Sequence, residues 1–318
     1  MIKGLTDIEG LLVGHATDLD AITGCTAVLC EKGAVGGVDV RGSATGSEEL
    51  GVLDPGHLTE RIHGIVLSGG SAFGLETASG VRRFLEKKGV GYRIGGGVVP
   101  LVPAAILFDL GIAKPGMRPG REMGEKAAAA ATNGPVEEGC VGAGTGATVG
   151  KILGRQNSMK SGIGTATVWL EGPYMGVAVA ALAAVNAVGD VRDPATGKLL
   201  AGTRVSPTSR ELANSALLLK RGARGQSGNT TLVIVATNAA LNKVQTNKLA
   251  QFGSLGVARA INPVWTMSDG DIVFALSYGS GRADLNALGV AASEAVGQAI
   301  VRAVQTAKSM AGLPGLAG

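Results

Sequence analysis

The sequence predicts an α/β protein in which helices pack on the outside of sheets. Two units in the final third each place a long helix after an apolar strand, at 232–261 and 271–306. The front of the chain instead has many short strand-like segments joined at glycines. Glycine accounts for 52 of the 318 residues, about 16% against about 7% in average proteins. Strand-rich segments followed by strand–helix units are typical of sheets covered by outer helices.

The expected elements follow, in chain order, from residue type and turn residues. Small and β-branched residues predict strands at 23–29, 34–40, 64–67, 163–170, 175–188, 232–237 and 271–278. Apolar periodicity and helix-ending glycines predict helices at 74–88, 121–132, 209–220, 240–261 and 285–306. The segment 193–197 (DPATG) predicts a turn that closes a hairpin onto 199–200. His15, within 13–18, is expected to hold a turn through its imidazole. No repeat or composition break divides the chain, so a single domain, 1–318, is expected.

Charge and hydropathy argue against nucleic-acid and membrane binding. The net charge is +4 and the pI about 9.0, but the cations are scattered and aromatic residues make up only 3%, unlike a nucleic-acid surface. The most apolar stretch, 172–189, is barely long enough to span a bilayer, so a buried strand is expected there. The first residues lack the apolar core of a secretory signal. We therefore expect a cytoplasmic protein.

Cysteine and histidine spacing predicts no metal and no disulfide framework. The three cysteines, Cys25, Cys30 and Cys140, are expected to be free thiols. The three histidines form no HExxH or other ligand pattern. No cofactor is expected.

A glycine-rich segment at 142–147 (GAGTGA) matches a dinucleotide-binding string by letter only. The preceding residues are polar and no clear helix follows, whereas the motif needs a strand before it and a helix after it. The overlapping 145–152 also fails as a phosphate loop, because Thr145 replaces its first glycine and Ile152 its Ser/Thr. What remains is Lys151 at the end of a glycine-rich turn. A solvated surface lysine is the commoner explanation.

The junction Gly228-Asn229-Thr230-Thr231 differs from these motifs. A glycine-rich loop leads into an apolar strand that begins with a hydroxyl residue. If the bond before Thr230 were cut, its hydroxyl and a new α-amine would lie on one residue, and that amine could act as general base. A β-branched residue that simply begins a strand is the alternative.

Several segments, in the same order along the chain, carry a resemblance to a known family. The chain resembles the L-aminopeptidase/D-esterase family of self-cleaving N-terminal-nucleophile hydrolases, which includes β-peptidyl aminopeptidases and nylon-oligomer hydrolases. The segments that carry it are 13–18 (VGHATD), 23–28 (TGCTAV), 37–43 (GVDVRGS), 53–55 (LDP), 68–81 (SGGSAFGLETASGV), 229–238 (NTTLVIVATN) and 269–276 (DGDIVFAL).

The resemblance implies a fold and a processing event. The fold is a four-layer αββα sandwich of the kind shared with ornithine acetyltransferase. Cleavage between Asn229 and Thr230 would give an α-chain, 1–229, and a β-chain, 230–318, that stay together. Homo-oligomers of such units, tetramers in particular, are expected, in line with the mean hydropathy of +0.28.

The resemblance also implies the site residues. Thr230 takes the nucleophile position, with Lys151, Asn186 and Asp269 near it. Lys151 would lower the pKa of the Thr230 α-amine and Asp269 would raise it, while the Asn186 amide would stabilise an oxyanion. Possible substrate-binding residues are Ser68, Gly69, Gly70, Ser71, Ser268 and Asp271.

Several of these residues also have purely structural explanations. A buried Asn186 could simply be satisfied by backbone groups. Asp269 and Asp271 flank Gly270 and could form a turn. The turn at 68–71 could cap the helix that follows, or line a substrate cleft with backbone amides.

Together these features predict a self-processing amide hydrolase. It would cleave small peptides, amino-acid amides or linear oligoamides through an acyl-enzyme on Thr230. Two alternatives remain open at this point. One is an acyltransferase of the ornithine acetyltransferase type, and the other is an uncleaved, non-enzymatic homologue.

Overall fold

The computed structural model describes residues 3–225 and 228–318. In these residues, helices cover the outside of the sheets. The strands are β1 (Leu12–Asp18), β2 (Thr23–Val40), β3 (Gly46–Glu48), β4 (Arg61–Ser68), β5 (Tyr92–Ile94), β6 (Gly97–Val99), β7 (Ala104–Ile106), β8 (Thr148–Val149), β9 (Met159–Lys160), β10 (Ile163–Trp169), β11 (Ala178–Asn186), β12 (Asp190–Arg192), β13 (Leu199–Ala201), β14 (Thr230–Ala239), β15 (Ile261–Asn262) and β16 (Ile272–Gly281). The α-helices are α1 (Glu76–Lys87), α2 (Arg121–Ala129), α3 (Ser215–Lys220), α4 (Lys243–Ala260) and α5 (Leu285–Gln305).

Nine strands form one hydrogen-bonded sheet that β2 divides into two half-sheets. The order is β10-β11-β14-β16-β2-β4-β7-β3, with β1 also paired to β2. The later residues of β2 pair with β16, and its earlier residues pair with β1 and β4. We call β10, β11, β14 and β16 the first half-sheet, and β1, β4, β7 and β3 the second.

Three apolar clusters show how these parts stack. One packs α4 and α5 against the first half-sheet. Another lies between the two half-sheets, with Leu67 and Leu107 on one side and Leu182, Ile234 and Phe274 on the other. The third packs α1 and α2 against β2 and β4. Three interfaces between four layers confirm the predicted αββα sandwich.

Strand β11 explains how so few aromatic residues can fill this fold. All nine of its residues are buried. Because successive side chains point to opposite faces of a strand, Val179, Ala181, Ala183 and Val185 pack under the outer helices. The residues between them, such as Leu182, pack between the half-sheets. Small side chains on both faces let the layers approach closely without large rings.

Two of the predicted boundaries at the front of the chain are wrong. Segments 23–29 and 34–40 are one strand, β2, because Ala34 and Leu29 both keep partners on β4 across an irregular register. The expected turn around His15 is the extended strand β1, paired antiparallel with β2. His15 Nδ1 lies 2.9 Å from Thr26 Oγ1 on that partner strand.

The helix predicted at 209–220 is shorter than expected. Residues 209–214 are not helical: Val205 N–H donates to Glu211 O at 3.0 Å, and Arg204 pairs with Leu212. Helix α3 begins only after Asn214, whose side chain accepts from Leu217 N–H. Tertiary pairing therefore overrides the local helix preference here.

The other long elements agree with the sequence patterns. The hairpin predicted after 193–197 is formed by β12 and β13. Helix α4 begins after a capping box made by Asn242 and Gln245. Helix α5 is the one helix of the described residues whose length and composition would suit a membrane span, but 67% of that window is buried. It covers β10 and β11 as a core helix does. Half of the stretch at 172–189 is the buried strand β11.

Candidate active site

Three strands bring the predicted site residues to the start of β14. Strand β11 runs antiparallel to β14 and ends with Asn186 opposite Thr230. Strand β16 runs parallel to β14 on the other side, and Asn229 forms an isolated bridge with Asp269 just before β16 begins. Thr230 therefore lies between Asn186 and the segment 269–271. Both Asn229 and Thr230 are buried.

The Asn229 carbonyl is the centre of this junction. It accepts a hydrogen bond from Gly270 N–H at 2.8 Å and a close one from the Thr230 hydroxyl. A Cβ atom at residue 270 would lie only 2.7 Å from Thr230 Oγ1. A glycine is thus required for a backbone amide to reach this carbonyl beside the threonine hydroxyl.

Lys151 is buried at this site and is not the solvated surface residue that its sequence context favoured. Its Nζ donates to Asn186 O at 2.9 Å and to Asn186 Oδ1 at 2.7 Å. The turn before Lys151 needs a glycine at 150, since its φ is +74° and a Cβ there would lie 1.9 Å from the backbone of Gly202. Burial lowers the pKa of Lys151 to about 7, although Asp269 opposes the shift.

Asn186 ends strand β11 and holds Lys151. Besides its two bonds from Lys151, Asn186 Oδ1 accepts from Thr148 N–H at 3.0 Å. Asn186 Nδ2 donates to Phe108 O at 3.1 Å. Backbone groups therefore make some of the hydrogen bonds of this buried amide. Lys151, a catalytic candidate, donates to its Oδ1.

Asp269 and Asp271 are both buried beneath the junction. Asp269 Oδ2 accepts from Thr266 N–H at 3.0 Å and from Thr266 Oγ1 at 2.6 Å. Asp271 Oδ1 accepts from Thr231 N–H at 2.6 Å. Burial, reinforced by the nearby Asp269 carboxylate, raises the pKa of Asp271 to about 7. Both carboxylates thus make turn-like backbone contacts and also lie beside the nucleophile candidate.

The remaining substrate-binding candidates lie at two distances from Thr230. Ser268 is adjacent, since its carbonyl accepts from Asn229 N–H at 3.3 Å. The turn Ser68-Gly69-Gly70-Ser71 is one layer away: Gly70 N–H donates to Asp109 Oδ1 at 2.7 Å, and Ser71 begins a short 3-10 helix before α1. Among the described residues, no hydrogen bond joins this turn to Thr230.

A small cavity of about 50 Å³ lies beside both Lys151 and Asp109, the acceptor of Gly70 N–H. Sequence reasoning missed Phe108 and Asp109, because a single aromatic residue and a single acid carry no motif. The cavity is lined by Phe108, Asp109, Gly111, Ile112, Gly146, Thr148, Lys151, Arg155 and Gly228. Larger surface cavities lie elsewhere, such as one of about 520 Å³ between the β12–β13 hairpin and α5.

The described residues contain no cluster of three or more His, Cys, Asp or Glu side chains that could hold a metal ion. The three cysteines are free. The functional groups that the structure brings together at the junction are a hydroxyl, an amine of lowered pKa, two carboxylates and backbone amides.

The fold defines the class of the protein through solved structures. A beta-aminopeptidase of Burkholderia sp. is 25% identical, with a TM-score of 0.69 over 99% of this chain and 91% of that chain. An L-aminopeptidase D-Ala-esterase/amidase from Ochrobactrum anthropi, described as a variant of the Ntn hydrolase fold, is 19% identical with a TM-score of 0.73. It covers 97% of this chain and 87% of that chain. The chain has this N-terminal-nucleophile hydrolase fold.

Sequence comparison identifies the family. Residues 3–317 match peptidase family S58, and the chain belongs to that family. An uncharacterized aminopeptidase of Mycobacterium leprae is 37% identical over 100% of this chain and 94% of the relative. A 6-aminohexanoate-oligomer endohydrolase of Kocuria sp. is 30% identical over 94% of this chain and 85% of the relative. The protein is a hydrolase of amide bonds.

Proposed function

We propose that this hydrolase activates itself by cutting its own chain between Asn229 and Thr230 and then uses Thr230 as the nucleophile. One observation carries the proposal: the Thr230 hydroxyl contacts the Asn229 carbonyl, while Gly270 N–H donates to the same oxygen at 2.8 Å. A nucleophile and an oxyanion donor on one buried carbonyl are the two elements that acyl transfer needs.

Self-cleavage is proposed to run as an N-to-O acyl shift. Thr230 Oγ1 attacks the Asn229 carbonyl carbon, its proton passes to a base, and the C–N bond breaks as that nitrogen is protonated. The neutral form of Lys151 is the proposed base, because burial brings its pKa to about 7. Its Nζ also donates to the carbonyl of Asn186, the residue that pairs with Thr230. Water then hydrolyses the ester and leaves a free α-amine on Thr230.

Turnover is proposed to repeat the same chemistry on a substrate amide. The Thr230 α-amine, with an ordinary pKa of about 7.7–8.0, accepts the hydroxyl proton as Oγ1 attacks. Lys151 lowers the pKa of that amine and Asp269 raises it. Gly270 N–H and, once released from Phe108 O, Asn186 Nδ2 are the proposed oxyanion donors. Water then hydrolyses the acyl-enzyme.

The substrate pocket is proposed to form from the 50 Å³ cavity. Gly228 lines that cavity, and after cleavage it would lie next to a new, free carboxyl terminus. Movement of that terminus would enlarge the cavity beside Lys151 and Phe108. Small peptides, amino-acid amides and linear oligoamides are the proposed substrates, in keeping with the names of the relatives.

The test is the mass and amino-terminal sequence of the purified protein. The proposal requires residues 1–229 and a fragment that begins Thr230-Thr231-Leu232. Thr230→Ala should remain one chain of 318 residues and be inactive, because no attacking atom is left. Thr230→Ser and Thr230→Cys should still cleave.

Thr231→Ala is the matched control, since it removes a neighbouring hydroxyl from the same strand and should cleave normally. A fragment that begins at Thr231, or full activity in Thr230→Ala, would overturn the assignment. Amino-acid p-nitroanilides and 6-aminohexanoate oligomers, assayed with cleaved protein, would then rank the substrate classes.

We also propose that the αβ units assemble into homo-oligomers, tetramers in particular. The outer helices expose large apolar side chains, including Val244, Leu255 and Val290, which symmetric contacts would cover. Sedimentation equilibrium should show an assembly larger than 31.7 kDa. A dilute, active monomer would contradict this.

A further inference from the structure

Lys160 is a second buried lysine. Neither the sequence motifs nor the proposed chemistry explains why it is there. It is 0% exposed and ranks among the largest fully buried side chains. Its Nζ donates to Thr145 O at 2.9 Å and to Ala147 O at 2.6 Å. The glycine-rich segment 142–147 therefore presents carbonyl oxygens to a cation, the reverse of the backbone N–H groups that a phosphate loop presents.

The same segment connects Lys160 to the candidate active site. The Ala147 carbonyl and the Thr148 N–H belong to one peptide group, which is planar. Lys160 binds the oxygen of that group, and its N–H donates to Asn186 Oδ1 at 3.0 Å. Asn186 Oδ1 in turn accepts from Lys151 Nζ at 2.7 Å. One peptide group and the Asn186 side-chain amide thus link the two lysines.

A short two-stranded sheet also holds the Ala147–Thr148 peptide beside Lys160. Strands β8 and β9 pair Thr148 with Lys160. Ser161 N–H donates to Ala147 O at 3.0 Å, so that this carbonyl accepts from both Lys160 and the next residue. The Lys160 ammonium is the charged member of these contacts, and hydrogen bonds to charged groups are the stronger ones.

We propose that Lys160 is a positioning residue of the active site: through the Ala147–Thr148 peptide it orients Asn186 and holds Lys151 at the Thr230 junction. This role rests on the proposed function of Thr230 and Lys151. Lys160 itself touches neither Thr230 nor Lys151 through a hydrogen bond in the described structure. Its effect on catalysis therefore passes through the orientation of a neighbour.

Charge adds a second, electrostatic consequence. Burial lowers the pKa of Lys160 to about 8, opposed by Cys140 and Asp109. The Lys160 cation in turn helps to lower the pKa of Lys151, while Asp269, Asp271 and Asp109 raise it. Removing the Lys160 cation should therefore raise the pKa of Lys151, and of any amine beside it, toward ordinary values.

The experiment compares Lys160→Met with Lys243→Met in the full chain. Lys243 is a matched control, because it is also buried and its Nζ also donates to two backbone carbonyls, Val52 O at 2.7 Å and Asp54 O at 2.9 Å. Its contacts hold a loop against α4, away from Thr230. Self-cleavage is followed by gel, and kcat and KM are measured against pH.

Lys160→Met should slow self-cleavage and lower kcat by roughly 10- to 100-fold, the lower range for lost positioning of a catalytic group. KM should change by less than about threefold, because the Lys160 side chain does not itself line the cavity. The acid limb of the kcat profile should move to higher pH. Lys243→Met should keep kcat and the profile of the wild type while losing stability.

The results that would overturn the inference are equally specific. The inference would be overturned by a folded Lys160→Met enzyme whose kcat is within about twofold of wild type and whose kcat–pH profile has an unchanged acid limb. If Lys160→Met does not fold, Lys160→Gln, which keeps a donor for one carbonyl, decides by the same criteria. Failure of both to fold, with Lys243→Met folded, would make Lys160 purely structural. A wild-type chain without a fragment starting at Thr230 would instead contradict the proposed function.

Discussion

Two buried acidic regions of this protein resemble each other in hydrogen bonding and differ in charge. One is the Thr230 junction, in which Asp271 accepts from a backbone N–H. The other, which we call the Asp190 cluster, consists of Asp190, Thr203 and Ser215. Asp190 accepts from Thr203 N–H at 2.8 Å, from Ser215 N–H at 2.6 Å and from Ser215 Oγ at 2.5 Å.

Asp190 and Asp271 have raised pKa values for partly different reasons. Burial raises the pKa of Asp190, and its three hydrogen bonds oppose the rise. Burial also raises the pKa of Asp271, but there the neighbouring Asp269 carboxylate raises it further. A buried acid surrounded by fixed donors ties a chain segment in place. Two acids beside a lysine of lowered pKa make a site whose protonation can change near neutral pH.

The largest expected effect concerns the cation of the junction. Lys151→Met should reduce self-cleavage and turnover by at least about 100-fold, the usual contribution of an acid–base group, and leave the fold intact. Removal of the buried cation relieves its desolvation but leaves two Asn186 oxygens without its hydrogen bonds, so a modest fall in the unfolding temperature is expected, as for Lys243→Met. Gel analysis, kcat and thermal unfolding measure the three quantities. Cleavage and hydrolysis at wild-type rates would remove Lys151 from the mechanism.

The opposite pattern is expected at the Asp190 cluster. Asp190→Ala leaves buried donors of Thr203 and Ser215 without their acceptor, which should lower the free energy of unfolding by roughly 2–4 kcal/mol. Self-cleavage should remain complete at temperatures where the variant is folded. Urea unfolding in a Thr230→Ala background, which keeps one chain, measures the first effect. A loss of cleavage without a loss of stability would erase the distinction between the two regions.

The contrast also shows which features a sequence can reveal. Long apolar runs such as those of β11, β14 and α5 predict buried elements, because hydrophobic patterning follows the geometry of strands and helices. Strand β1 escaped prediction, since His15 and its polar neighbours lack that pattern. The segment 209–214 misled, because its pairing partner at Arg204 comes from tertiary structure.

The site could be predicted only in part for a similar reason. Thr230 carries a local signal, a hydroxyl residue between a glycine-rich loop and an apolar strand. Lys151 and Asn186 are far apart in sequence, and family resemblance alone placed them together. Lys160 has no signal of its own, because its function depends on two carbonyls that the fold brings to it. The glycine-rich segment 142–147, which was compared with a phosphate loop, binds that lysine through two of its carbonyl oxygens.

The last expected effect is a pH dependence of stability, which tests whether the two regions differ in charge. Asp271 has a folded-state pKa of about 7, whereas an unfolded aspartate titrates near 4. Between these values the folded chain binds more protons than the unfolded chain, so this group makes stability fall as pH rises from about 4 to about 7. Below that window both states are protonated, and above it both are ionised.

Asp271→Asn should remove this contribution while keeping an oxygen that can accept from Thr231 N–H. In a Thr230→Ala background, the variant should therefore gain stability relative to its parent between pH 4.5 and pH 7, values chosen about the window set by linkage. Asp193→Asn is the matched control of opposite sign, because backbone donors in the hairpin turn lower the pKa of Asp193. Its carboxylate contributes stability that is fully present above the unfolded pKa near 4 and is lost only as pH falls below that value, so this variant should show no trend relative to its parent between pH 4.5 and pH 7. Equal pH trends in the two variants would show that Asp271 titrates as an ordinary carboxylate and that the junction differs from the Asp190 cluster in geometry alone.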